Sequence, residues 1–263
     1  VRFVKHLSWC PAGSAGRRRR KAGNFRCRYQ FRYIGVMPVY ELPDEIAFPD
    51  PCLAEPDGLL AVGGDLSAER LLTAYSLGIF PWPHRGWPML WFSPDPRMVL
   101  FPTELKLSRS LRQSIRKGRY EIRFDTDFAG VIAGCSKVKR PGQRGTWISK
   151  PMVKAYTELH SLGFAHCAEA WLEGKLVGGV YGVSLGAAYF GESMFALEPD
   201  ASKVAFAALV AKLKDWEFHF IDAQVHTAHL ERFGARLIPR VEYLQRLENA
   251  LQVPTRRGPW GGD

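Results

Sequence analysis

Between Ile79 and Arg97 the chain carries five prolines and three tryptophans in nineteen residues. Proline removes a backbone donor and fixes φ, so the stretch predicts neither a regular helix nor a central strand. What precedes it reads as loop over 41–58, rich in Pro, Asp and Glu. A helix then follows, capped by Asp65 or Ser67, with Leu71, Leu72 and Tyr75 on its apolar face and Gly78 as its stop.

After residue 106 the pattern alternates between helix and strand. A basic helix is predicted over 108–117 with Leu111 and Ile115 inward, then a strand over 119–124. A short helix capped by Asp125 or Thr126 runs to about 135, and another covers 150–162. Strands over 164–172, 175–183 and 186–194 form a meander whose first turn is Glu173-Gly174-Lys175. A helix over 201–216 buries Val204, Leu209, Val210 and Leu213. A strand over 218–224, a helix of one or two turns, a strand near 236–239 and a helix over 240–251 complete the chain. This order predicts an α/β or α+β layer on a mixed sheet, a succession shared with GNAT-type acyltransferases.

The net charge of +10 suggests an anionic partner, but residues 1–36 hold ten of the 36 Lys and Arg and none of the 26 Asp and Glu. Residues 37–263 therefore balance at 26 of each sign. A basic arm for nucleic acid and an organelle presequence both fit such a tail. The reading favoured here is that Met37 opens the natural protein. Cysteines at 10, 27, 52, 135 and 167 form no C-x-x-C pair and read as reduced thiols of a cytosolic protein. No uncharged apolar run reaches the length of a membrane span.

Several groups could carry chemistry. Phe80, Trp82, Trp87, Trp91 and Phe92 could staple two parts of the chain together or stack unpaired bases. Lys106, Arg109, Arg112, Arg116, Lys117 and Arg119 form the densest cationic stretch of the body, with Lys137, Lys139, Arg140 and Arg144 a second. They are either solvated faces or a phosphate track. Glu192 sits in an apolar strand, where a carboxylate needs a partner or an incoming cation. Asp222 and Gln224 alternate with Ile221 and Ala223, which predicts that both face one side of their strand. His219, Asp222, His226 and His229 are ligand-type residues, but their spacing fits no common zinc template, so no metal is expected. His166 and Cys167, as strand neighbours, point apart and do not make a dyad.

Glu55–Ser67 (EPDGLLAVGGDLS), Tyr75–Trp82 (YSLGIFPW), Trp91–Arg97 (WFSPDPR), Gly145–Ile148 (GTWI), Gly191–Phe195 (GESMF) and Ile221–Gln224 (IDAQ) occur in this order. Together they resemble the bacterial leucyl/phenylalanyl-tRNA–protein transferase family over about 40–250. The resemblance implies a small N-terminal domain (37–98) packed on a GNAT-like catalytic domain (99–252), with 253–263 a C-terminal tail. It also implies a monomeric cytoplasmic enzyme needing no cofactor. Such an enzyme moves Leu or Phe, with Met a further candidate, from aminoacyl-tRNA to proteins that begin with Arg or Lys. That transfer creates a destabilising N-terminus for degradation, the N-degron pathway.

Carried over by motif, Trp82, Trp147, Tyr75 and Tyr156 would hold the aminoacyl-adenosine end. Val180, Phe190, Met194 and Phe206 would wall the Leu or Phe side chain, and the basic stretch at 106–119 would contact tRNA phosphates. Asp222, acting with or through Gln224, is expected to orient the attacking amine and accept its proton, while Glu192 holds the cationic acceptor. Alternatively the leaving ribose oxygen takes the proton and Asp222 only positions the amine. A CoA-dependent acetyltransferase is a rival reading, but the pyrophosphate loop expected before the 201–216 helix is missing. A non-catalytic tRNA-binding module is another.

Overall fold

A computed structural model describes residues 32–33, 39–84, 86–138 and 147–261. Residues 1–31 and 34–38, with Met37 and nearly all of the basic tail, lie outside them, as do Lys139, Arg140, Arg144, Gly145 and Thr146. Phe31–Asp263 form one compact unit.

The N-terminal part makes a small sheet from β1 (Arg32–Tyr33), β2 (Tyr40–Glu41), β3 (Leu59–Val62), β4 (Phe80–Pro81) and β5 (Leu90–Phe92), in the order β1-β2-β3-β5-β4. The Pro-rich stretch thus does supply a central strand, contrary to the sequence expectation. Its Leu-Trp-Phe tripeptide is free of proline, and Pro88 and Pro94 flank it. Pro81 lies in β4 at the edge of the sheet, where a missing donor costs little. Between β3 and β4 runs α1 (Ala68–Ser76), capped by Ser67, whose Oγ accepts from the Arg70 N–H at 3.3 Å. Gly78 ends it with φ +72°, and a Cβ there would lie 2.8 Å from Tyr243 and Leu244 side-chain atoms.

The second sheet is built from β6 (Arg97–Leu100), β7 (Glu121–Phe124), β8 (Ala165–Leu172), β9 (Lys175–Leu185), β10 (Ala188–Ala196), β11 (Phe220–Gln224) and β12 (Arg236–Ile238). Its order is β12-β6-β11-β10-β9-β8-β7, antiparallel except for the parallel pair β10 and β11. This is the mixed sheet of an α/β fold. The helices are α2 (Arg109–Arg116), α3 (Phe128–Lys137), α4 (Lys150–Ser161), α5 (Ala201–Asp215), α6 (Ala228–Glu231) and α7 (Arg240–Leu251).

Two apolar layers cover the sheet. One joins Val131 and Ile132 of α3, Leu159 of α4, Phe190 of β10 and Leu247 of α7 to the small sheet. The other joins Val204, Leu209, Val210 and Leu213 of α5 to Met98, Val180 and Ile221. Leu111 of α2 is buried as expected, but Ile115 is 37% exposed. The helix is held through Leu111 and a bond from Ser114 Oγ to Asp200 at 3.0 Å, which turns Ile115 outward.

The cap of α3 also differs from expectation. Asp127, not Asp125 or Thr126, accepts from the Gly130 N–H at 2.8 Å. Asp125 is occupied elsewhere, accepting from the Cys167 and Trp260 N–H groups and bonding His166 Nδ1, all at 2.8 Å. Thr126 is taken too, donating to the buried Glu169 through its N–H and hydroxyl. Asp127→Ala is therefore expected to cost about 1 kcal/mol in urea unfolding, whereas Thr126→Ser leaves α3 capped.

Candidate active site

The site opens where two strand irregularities meet. On β10 the register against β9 slips between Gly191 and Ser193, so Glu192 is the extra residue of a bulge. On β11 the register against β6 slips between Asp222 and Gln224, and Gln224 takes a left-handed backbone with φ +62°. Bulges of this kind re-aim side chains next to sites. The simple alternation expected for Asp222 and Gln224 is thereby broken.

Beside them lies a cavity of about 390 Å³. Phe80 and Trp82 reach it from the small sheet, and Trp147 from the segment before α4. Val180, Met194, Ile221 and Phe206 form an apolar wall on the α5 side, and Glu192, Asp222 and Gln224 form its polar part. Trp82, Trp147, Val180, Met194 and Phe206 are thus placed together with the polar trio. Thr227, His229 and Leu230, which sequence reasoning did not single out as cavity walls, also line it.

Glu192 is buried and held by three donors. Its Oε1 accepts from Tyr75 Oη at 2.7 Å and from Gln224 Nε2 at 2.8 Å, and its Oε2 from Tyr156 Oη at 3.1 Å. The two phenol oxygens also lie within hydrogen-bond distance of each other; each phenol carries one proton, so all three oxygen–oxygen contacts are filled at once only when Glu192 is itself protonated. Neither tyrosine is among the residues lining the cavity: both are fully buried and meet it through Glu192. Burial and the neighbouring carboxylate push both phenols well above their ordinary range, so both stay protonated donors. Phe190 is not a cavity wall either. It points to the opposite face of the sheet from Val180 and Phe206 and packs on the Tyr75 ring at 5.0 Å.

Burial pushes the Glu192 carboxyl up to about 7, against the pull of its three hydrogen bonds. Its Oε2 accepts only one of the bonds named above, which leaves a lone pair for a ligand. Asp222 is different. Its Oδ1 accepts from Arg97 Nε at 2.9 Å and the Gln224 N–H at 2.8 Å, and its Oδ2 from Arg97 Nη2 and Tyr243 Oη, both at 2.7 Å. The expectation that Asp222 accepts a proton meets a fully buried carboxylate whose two oxygens are each engaged twice. Sequence reasoning assigned no role to Arg97 or Tyr243. The available signal was the rule that a buried Asp requires a cation.

The aromatic stretch divides. Trp91, Phe80 and Phe92 are buried in the core, Trp82 packs on Phe80 and Phe92 and lines the cavity beside Phe80, and Trp87 is 70% exposed. Lys106, Arg109, Arg112, Arg116, Lys117 and Arg119 are all exposed, and Arg119 bonds Glu198 at 2.8 Å. Among the described residues no three His, Cys, Asp or Glu side chains converge on a metal position. His226 sits by Glu231 at 3.3 Å, His229 reaches the cavity and His219 is exposed. His166 stacks on Trp260 at 3.9 Å, while the Cys167 thiol donates to Glu169 and is pushed up by burial.

Residues 99–248 match the family model described as leucyl/phenylalanyl-tRNA protein transferase, and residues 64–95 match that family's N-terminal domain. A leucyl/phenylalanyl-tRNA–protein transferase of Anaeromyxobacter sp. (strain Fw109-5) is 60% identical, the match covering 86% of this chain and 97% of that one. One of Myxococcus xanthus (strain DK1622) is 58% identical, over 85% and 97% of the two chains. Among solved structures, that of L-PGS from Bacillus licheniformis is similar at a TM-score of 0.36 and 11% identity, covering 64% of this chain and 53% of that one. No helix among the described residues is long and apolar enough to cross a membrane. The chain belongs to the leucyl/phenylalanyl-tRNA–protein transferase family, aminoacyltransferases that pass an amino acid from tRNA to protein.

Proposed function

We propose that this enzyme transfers Leu or Phe from aminoacyl-tRNA to the α-amine of proteins beginning with Arg or Lys, giving them a destabilising N-terminus. It would act in the cytoplasm as a monomer, with no cofactor, because the tRNA ester is already activated. The observation that carries the chemistry is Glu192, a carboxylate at the wall of an apolar cavity with a lone pair to spare. Val180, Met194 and Phe206 suit an unbranched or γ-branched apolar side chain, and a methionine adapts to either Leu or Phe. Trp82 and Trp147 offer ring faces for the terminal adenosine.

The acceptor arrives largely as an ammonium, since an α-amine has a pKa of about 7.7–8.0. Ionised Glu192 attracts it, and the ammonium gives up one proton to water to become the neutral amine. The neutral amine attacks the ester carbonyl, the C–N bond forms and the bond to the ribose 3′ oxygen breaks. As the C–N bond forms, Glu192, its carboxyl brought up to about 7 by burial, takes the second proton from the nitrogen and passes it to that oxygen. Asp222 serves this scheme by holding Gln224, and Gln224 by holding Glu192.

Two experiments test the reading. Labelled leucine from Leu-tRNA should enter peptides starting with Arg or Lys, not Ala, without ATP or CoA; free leucine without labelled peptide would refute it. Replacing Arg109, Arg112 and Arg116 together with Ala should weaken Leu-tRNA binding for any donor sequence and flatten the log–log salt dependence by about 3 if each contacts one phosphate. An unchanged slope would remove the basic helix from the tRNA path.

A further inference from the structure

Arg97 is the last residue of the Pro-rich stretch and the first of β6, and its side chain is 1% exposed. Its guanidinium lies between two rings, 4.7 Å from the centroid of Phe80 and 4.6 Å from that of Tyr243. It grips both oxygens of Asp222 through Nε and Nη2, while Nη1 has no hydrogen-bond partner among the described residues. The rings and the carboxylate therefore fix one orientation of the fork. Tyr243 comes from α7 and supplies the fourth donor to Asp222.

So held, Asp222 presents Oδ1 to the Gln224 N–H, two residues on. That bond fastens a residue whose left-handed backbone is uncommon for a side chain of this size and persists only where the surroundings impose it. The same backbone turn delivers the Gln224 amide to Glu192. Each link is a hydrogen bond of 2.9 Å or less: Arg97 or Tyr243 to Asp222, Asp222 to Gln224, Gln224 to Glu192. The small sheet, through Phe80, and α7, through Tyr243, thus both bear on the carboxylate at the cavity.

We infer that Arg97 and Tyr243 are positioning residues for the transfer reaction, acting on Glu192 through Asp222 and Gln224. The inference rests on the proposed function for its kinetic consequence, but its physical content is the state of Glu192 in the free enzyme. Loosening Gln224 removes a hydrogen bond that favours the Glu192 anion. Weakening the grip of Arg97 leaves more of the Asp222 charge to act on Glu192. Both changes raise the pH at which Glu192 ionises.

The test uses Tyr243→Phe, which keeps the ring and deletes one donor, and Arg97→Lys, which keeps the charge and deletes the fork. In full-length protein labelled with 13C at the glutamate carboxyl, the Glu192 signal, assigned by its loss in Glu192→Gln, is titrated. Its midpoint is expected to move to higher pH in both variants. In transfer assays each variant should lose about 10- to 100-fold in kcat with KM for Leu-tRNA unchanged. If Arg97→Lys fails to fold, Tyr243→Phe decides alone. A folded Tyr243→Phe whose Glu192 midpoint equals that of the wild type would overturn the inference, as would a kcat equal to wild type. If wild-type enzyme labels no Arg- or Lys-peptide, the proposed function fails, and the titration still decides whether Glu192 is coupled to Arg97 and Tyr243.

Discussion

Glu192→Gln is expected to lower the rate of leucine transfer by about 10²- to 10⁴-fold, the usual range for loss of a positioned acid–base group, with KM for Leu-tRNA little changed. The same substitution should stabilise the fold at alkaline pH. Glu192 ionises near 4.5 in an unfolded chain and near 7 in the folded one. In that window the native state binds the extra proton, so stability falls as pH rises from about 4.5 to about 7. The full difference is about 3 kcal/mol, of which the glutamine variant should be free because it carries no charge to bury. Urea unfolding at pH 5 and pH 8 checks the sign: wild type weakens relative to the variant at pH 8. A variant both inactive and less stable at pH 8 would mark Glu192 as structural. The pairing of lost activity with gained stability is what a carboxylate kept in a desolvated place for its chemistry should show.

Asp222→Ala has the second large effect, and a different one. Removing one partner of a buried ion pair leaves Arg97 charged in the core, at a cost of about 3–5 kcal/mol. It also strips the Gln224 N–H of its acceptor, so transfer should fall even at temperatures where the variant stays folded. The double variant Arg97→Met with Asp222→Leu separates the two consequences. Well-packed apolar replacements of such pairs are often neutral, so it should regain most of the lost stability. It should not regain transfer, because Gln224 is still unsupported. Thermal unfolding and single-turnover transfer on the three proteins suffice. Restored transfer in the double variant would show that Asp222 matters only for folding.

Much of this fold is legible in the sequence because its elements are punctuated. Gly78, Gly118 and Gly163 end helices, and Glu173-Gly174 turns the meander, so α1, α2, α4 and the β8–β9 hairpin fall close to their predicted bounds. The strands that escaped, β1 to β6, are two to four residues long. Too short for an alternating pattern, most of them are stabilised by partners distant in sequence, and proline near β5 and β6 argues against these two locally. Glu192, Asp222 and Gln224 were readable as polar residues in apolar strands, and the cavity does join them. Their division of labour was not readable. Both bulges shift register by a residue, which alternation cannot foresee, and the partners of Asp222 lie 125 positions upstream and 21 downstream. Tyr75, Tyr156 and Phe190 show the same limit: each belongs near the site but not on the cavity wall.

The central claim is that ionised Glu192 takes a proton from the nitrogen of the already neutral amine as the C–N bond forms. Single-turnover leucine transfer to an Arg-peptide, followed from about pH 5.5 to 8.5 with wild type and Glu192→Gln, tests it most directly. Two groups must lose a proton in the wild type, the amine at about 7.7–8.0 and Glu192 at about 7. The logarithm of its rate should therefore climb with a slope approaching two below about pH 6.5, whereas the residual rate of the variant climbs with a slope of one. A slope of one in both proteins would contradict the account and leave the proton to the departing ribose oxygen.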